Sequence, residues 1–141
     1  MAASGEVGWP PLGKTRWPLT DEARDRLAAA RQIAKSGHPG SVVNAAYYAM
    51  LNAARAALSE RGEHSKTHTG TWTLFSATFV ATGEFDQGLS ALARRAKDAR
   101  EKGDYEAAPP SAEEAAEFVD GAERFLAAVE AMLGTGTSSC P

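Results

Sequence analysis

The stretch from Ser41 to Arg61, SVVNAAYYAMLNAARAALSER, carries two apolar stripes at helical spacing. A helix with two apolar faces has to sit between neighbours. Val43, Tyr47, Met50, Ala54 and Leu58 make a bulky stripe, while Val42, Ala45, Ala49, Ala53 and Ala56 make a small one that lets another helix backbone come close. No proline interrupts the run, Ser41 reads as its N-cap and Gly62 as the residue that ends it. A chain holding such a segment is expected to fold around it as a helical bundle.

The flanking segments supply the partners. Ala23, Leu27, Ala30 and Ala34 give a first helix starting at Thr20, with Arg24, Arg26, Arg31 and Lys35 left in water. The breakers Gly37-His38-Pro39-Gly40 then force a turn, which makes the first helix and the central one antiparallel neighbours. After the polar loop EHSKTHTG, the segment Thr71 to Ala81 places Trp72, Phe75 and Phe79 at helical steps, and Gly83 stops it. Its threonines and Val80 also tolerate a strand. Phe85, Leu89, Leu92, Ala96 and Ala99 mark a third long helix whose C-terminal half is basic, as the helix dipole favours. Ser111 followed by Glu114 is a capping box for the last helix, with Ala115, Phe118, Ala122, Phe125, Val129 and Met132 as its apolar stripe. The expected fold is therefore all-α: an up-and-down bundle of four long helices plus one short helix. Residues 1–18, which carry Trp9, Trp17 and three prolines without periodicity, read as an N-terminal tail, residues 19–133 as the domain, and residues 134–141 as a disordered tail.

Composition narrows the function classes. A net charge of -3 excludes a chain that binds nucleic acid by bulk charge and leaves room for a local basic patch. The lone cysteine, Cys140, permits no internal disulfide and fits a reducing compartment. No apolar run approaches the ~20 residues that span a bilayer, and the N-terminus lacks a signal-peptide core, so no membrane association and a cytoplasmic location are expected.

Motifs for nucleotide loops, paired-cysteine metal sites and nucleophile elbows are absent, so neither cofactor nor metal is expected. Three local features carry chemistry. His64 and His68 lie four apart in a polar loop beside Lys66, without a placed acidic partner, and read as solvated. Tyr47 and Tyr48 read as packed rings whose hydroxyls find partners, and Asn44 and Asn52 as residues facing solvent or a buried network. The third feature is Arg100-Glu101-Lys102-Gly103-Asp104-Tyr105. An arginine fixed near a helix end can clamp a phosphate through two hydrogen bonds, with Asp104 orienting it and Tyr105 stacking or donating. The same residues also fit an Arg-Asp pair that only ties down a helix end.

Taken in order, NAAYYAMLNAARAAL, KTHTGTWTLFSATFVATGEFD and ARRAKDAREKGDYEA resemble the HEPN superfamily (higher eukaryotes and prokaryotes nucleotide-binding), in its small stand-alone prokaryotic branch. The resemblance covers Leu19 to Leu133. It implies a helical bundle, a homodimer, and a toxin–antitoxin pairing with a minimal nucleotidyltransferase. Active members look like metal-independent ribonucleases in which an arginine is followed, four to six residues on, by a histidine. Arg100 matches the arginine, but Asp104 and Tyr105 follow it and no histidine occurs after His68. The resemblance thus nominates Arg100, Asp104 and Tyr105 for catalysis and Arg95, Arg100, Lys66, His64 and His68 for RNA or nucleotide phosphate at a dimer groove. With no group titrating near neutrality beside Arg100 in the sequence, cleavage is expected to be weak or absent, or to rely on His64 or His68 from a partner subunit. The other reading is a non-catalytic module that dimerises and pairs with the nucleotidyltransferase.

Overall fold

The computed structural model describes the backbone of residues 12–35, 37–105 and 109–138, and the side chains of residues 21–35, 37–102 and 109–134. Five helices follow one another among these residues: α1 (Leu12–Ala34), α2 (Pro39–Glu60), α3 (His68–Phe75), α4 (Gln87–Tyr105) and α5 (Ala112–Ser138). No strand occurs among them. A π-helical turn, Ser76–Val80, extends α3, marked by the bond from the Ala81 N–H to the Ser76 carbonyl at 2.8 Å.

The central position of α2 follows from its two stripes. Val43, Tyr47, Met50, Ala54 and Leu58 are at most 1% exposed and the small stripe at most 7%, so α2 touches α1, α3, α4 and α5. Its most extensive contact is with α1, its antiparallel neighbour. Gly62 ends α2 at φ 73 and Gly83 ends the short helical segment at φ 83, a conformation that favours glycine. Phe75, Phe79, Phe85, Phe125 and Trp72 form one aromatic cluster under α3; the Phe75 and Phe125 rings stack at 5.6 Å, and Phe85 and Phe125 lie 4.7 Å apart. Against this cluster α5 and α4 pack closely. Gly121 faces Leu92, whose side chain occupies the space that a Cβ would need.

Several details differ from the sequence reading, among them the start of α3 at His68 instead of Thr71 and the run of α4 from Gln87 through Gly103 to Tyr105. The first helix starts at Leu12 and runs through Pro18, rather than starting at Thr20. A proline interior to a helix normally marks a break, and here the chain stays helical despite the lost bond. The inward position at the end of α1 belongs to Ile33, packed against the core, whereas Ala34 is exposed. The cap of α2 is His38, with Pro39 in the first turn, in place of Ser41; a proline suits that turn because its missing N–H would have had no partner. The last helix continues past Gly134 to Ser138, since a helix needs no buried stripe to extend by a turn. Trp9 and Cys140 lie outside the described residues, as does the side chain of Trp17.

Among the caps read from sequence the one at Ser111 is present, and Asp86 adds one that the sequence reading did not name. Ser111 Oγ accepts the Glu114 N–H at 3.0 Å, and Asp86 Oδ2 accepts the Leu89 N–H at 2.9 Å at the start of α4. Ion pairs lace the outside, Arg24 with Glu130 and Arg31 with Glu123, tying α1 to α5. Exposed pairs of this kind contribute little to stability.

Candidate functional site

The site grows from one edge of α2. Asn44, Tyr47 and Tyr48 stand three and four residues apart, so they share a face just beside the bulky stripe. Tyr47 is fully buried and Tyr48 half-buried. The indole N–H of Trp72 donates to Tyr47 Oη at 3.1 Å, which fastens α3 to α2 at this point. The two tyrosine rings meet edge to face at 5.4 Å and form a platform.

Arg100 reaches this platform from α4. Its Nε donates to Asn44 Oδ1 at 2.8 Å, and its guanidinium carbon stands 5.2 Å from the Tyr48 ring centre and 5.7 Å from that of Tyr47. Cation–π attraction and the amide bond fix the side chain, leaving the terminal nitrogens for other acceptors. Among the described residues, no carboxylate pairs with Arg100. Asp104 and Tyr105 lie on the last turn of α4, and their side chains are outside the described residues. Arg26 of α1 adds a second guanidinium, 5.6 Å from the Tyr48 ring centre and hydrogen-bonded to Glu22. A groove of about 620 Å³ opens here, lined by Arg26, Ser41, Asn44, Arg100 and Pro110 among others.

His68 comes from α3. It is the first residue of α3, not a loop residue, and its ring centre lies 5.5 Å from that of Tyr48 and 5.7 Å from that of Tyr47. The sequence builds this placement locally. Thr67 caps the helix by accepting the Gly70 N–H at 2.9 Å, Ser65 bonds back to Thr67, and a Cβ at position 70 would collide with both hydroxyls. Burial lowers the pKa of His68, and the nearby cations Arg55, Arg100 and Lys97 lower it further against the opposing charge of Glu101. The imidazole is therefore neutral at pH 7. Lys97, half-buried one turn before Arg100, is held by Glu101 at 2.8 Å. Burial pushes the Tyr47 phenol up, so it too is neutral.

The residues nominated from sequence thus divide. Arg100 and His68 each approach the same two tyrosine rings, Arg100 from α4 and His68 from α3. Arg95 points toward α5, where it pairs with Glu117 at 3.2 Å and lies over the Phe118 ring. His64 and Lys66 remain exposed in the connection between α2 and α3. Asn44, Tyr47, Tyr48 and Lys97, which the sequence reading gave no binding role, complete the site. The spacing of Asn44, Tyr47 and Tyr48 on one helix edge was the available signal. Among the described residues, no group of three His, Cys, Asp or Glu side chains is arranged to hold a metal ion.

The profile of the HEPN domain matches residues 18–132. The chain belongs to the HEPN family. It is similar to a UPF0332 protein of Thermotoga maritima, 31% identical over 112 residues that cover 79% of this chain and 85% of the relative. It is also similar to a protein of Methanocaldococcus jannaschii named "Putative toxin", 28% identical over 82% of this chain and 86% of the relative. A UPF0332 protein of Gloeobacter violaceus is 36% identical over 62% of this chain and 69% of its own length. All the residues of the Arg100 site fall inside the span that this HEPN domain shares with the profile. Among the described residues of the HEPN domain, no helix is long and apolar enough to cross a membrane.

Proposed function

We propose that this HEPN protein is the toxin-type member of a toxin–antitoxin pair and binds RNA or nucleotide phosphate at the Arg100 site. The observation that carries the reading is the state of Arg100: hydrogen-bonded through Nε to a neutral amide, stacked on two tyrosines, and without a carboxylate on its outer nitrogens among the described residues. A guanidinium held this way is ready for a bidentate phosphate contact, and Tyr48 offers a ring edge for a base or ribose. The toxin name of one relative supports the biological setting. A homodimer in which two such sites share a groove, a minimal nucleotidyltransferase as the antitoxin partner, slow metal-independent cleavage and a cytoplasmic location complete the proposal. The alternative is a non-catalytic module that dimerises and pairs with the nucleotidyltransferase, in which Arg100 serves only to tie α4 to α2 through Asn44 and the two tyrosines.

The test is Arg100→Lys, which keeps the charge and loses the fork. Binding of a single-stranded RNA oligonucleotide is expected to weaken roughly 10- to 100-fold, the equivalent of one charge-assisted hydrogen-bond pair. Salt must be matched, because phosphate contacts release counterions. Equal affinities for the two proteins would remove the clamp. The dimer is checked separately by sedimentation at tens of micromolar, on the order of the range in which weak dimers form; a monomer there counts against the shared groove.

A further inference from the structure

We infer that His68, delivered by α3 of the same chain, is the proton acceptor of the Arg100 site. The inference rests on the phosphate-binding reading and names the residue that would act on the bound chain. The argument is geometric first. His68 and Arg100 each lie within 6 Å of the same two tyrosine ring centres, one presented by α3 and the other by α4, so they share one platform. The cap at Thr67, the bond from Ser65 and the tight approach at Gly70 fix the α3 terminus, and the Trp72–Tyr47 hydrogen bond locks α3 onto α2 one turn later. Such placement was not to be expected of a loop histidine, and it requires no partner subunit. An arginine and a histidine that are remote in sequence thereby form the pair that the α4 segment alone lacks.

The charges facing the imidazole come from two helices. From α2 come Arg55 and the phenols of Tyr47 and Tyr48; from α4 come Lys97, Arg100 and Glu101. Cations outnumber the single carboxylate. Burial first and this cationic surplus second favour the neutral ring, which can accept a proton, and the same cations oppose the negative charge that builds on a phosphorane.

The step balances without a metal or oxidant. His68 takes the proton of a ribose 2′-hydroxyl, O2′ forms a bond to the adjacent phosphorus, and the bond from phosphorus to O5′ breaks. The electron pair leaves on O5′, which takes a proton from water or from the His68 imidazolium. The products are a 2′,3′-cyclic phosphate and a 5′-hydroxyl. Arg100 holds the non-bridging oxygens throughout.

The experiment uses the full chain, a single-stranded RNA oligonucleotide and a chelator, and measures binding and cleavage side by side for the native protein, His68→Ala, His68→Gln and Arg100→Lys. Loss of a general base is expected to slow cleavage at saturating RNA by about 10²- to 10⁴-fold in both His68 variants, a loss that saturation separates from any change in affinity. Added imidazole should restore part of the rate to His68→Ala and leave the native rate unchanged, which a merely structural role for His68 would not produce. The acid limb of the native pH–rate profile should fall below the ordinary imidazole value of about 6.5 and vanish in His68→Ala. RNA binding without cleavage by the native protein, or cleavage by both His68 variants at the native rate, overturns the role of His68 and leaves the binding reading standing. No RNA binding by the native protein overturns both. A His68→Ala chain that melts far below native is set aside for His68→Gln, and loss of cleavage in that variant at native stability carries the same weight.

Discussion

Replacing Tyr47 with phenylalanine removes one atom from the structure, and that atom is the acceptor of a buried donor. Tyr47 is 0% exposed and Trp72 is 4% exposed, so in Tyr47→Phe the Trp72 indole N–H is left without its partner away from water. An unsatisfied buried donor costs about 1–3 kcal/mol. For a domain of this size each kcal/mol lowers the melting temperature by roughly 3–5 °C, so a fall of about 3–15 °C is expected. The phenyl ring keeps the platform, and RNA affinity should stay within about twofold at a temperature where both proteins are folded, because Arg100 and His68 contact ring faces and edges rather than the hydroxyl. Thermal unfolding followed by circular dichroism, with binding measured in parallel, separates the two effects. A double-mutant cycle with Trp72→Phe should return a coupling of about 1 kcal/mol. An unchanged melting temperature in Tyr47→Phe would show that the indole finds another acceptor and that this bond does not hold α3 to α2.

Two further predictions concern stability. Because His68 titrates lower in the folded chain than in the unfolded one, its neutral form favours folding: that contribution is complete above about pH 6.5 and is lost as pH falls through the depressed folded value; the acid-side slope of stability should flatten in His68→Gln, and an identical slope would refute the assignment. In Gly121→Ala the new methyl meets the Leu92 side chain, and the overpacking cost of about 1–3 kcal/mol should outweigh the gain of about 1 kcal/mol in helix propensity; a variant more stable than native in urea would show that Leu92 swings clear without cost.

The bundle was legible because burial writes itself as period. Both stripes of α2, the α5 stripe from Ala115 to Val129 and the N-cap at Ser111 are local patterns, and the structure has each. Where no apolar residue repeats, as from Leu12 to Pro18 and beyond Gly134, the pattern fell silent while the helix went on. The site was half legible for a related reason. Arg100 stood out through its resemblance to a family motif, and His68 through its residue type, but their meeting depends on how α3 and α4 dock on α2, a tertiary fact that no window of sequence holds. Reading EHSKTHTG as a polar loop hid the cap at Thr67, so His68 looked free when it is the first residue of a helix. Asn44 was weighed as solvent-facing or networked; its partner turned out to lie on another helix, 56 residues along the chain.

That long span has a consequence for the order in which the protein becomes active during synthesis. The α1–α2 hairpin is built from neighbours in sequence and can close early, whereas the proposed phosphate site needs Asn44 from α2, the imidazole from α3 and the guanidinium from α4 in one place. A nascent or truncated chain that stops before Arg100 therefore lacks the guanidinium that the site is built around. On the toxin reading proposed above, this would be a built-in delay: each copy would stay inert until α4 had docked, and an antitoxin present at the ribosome would meet the chain before the site exists.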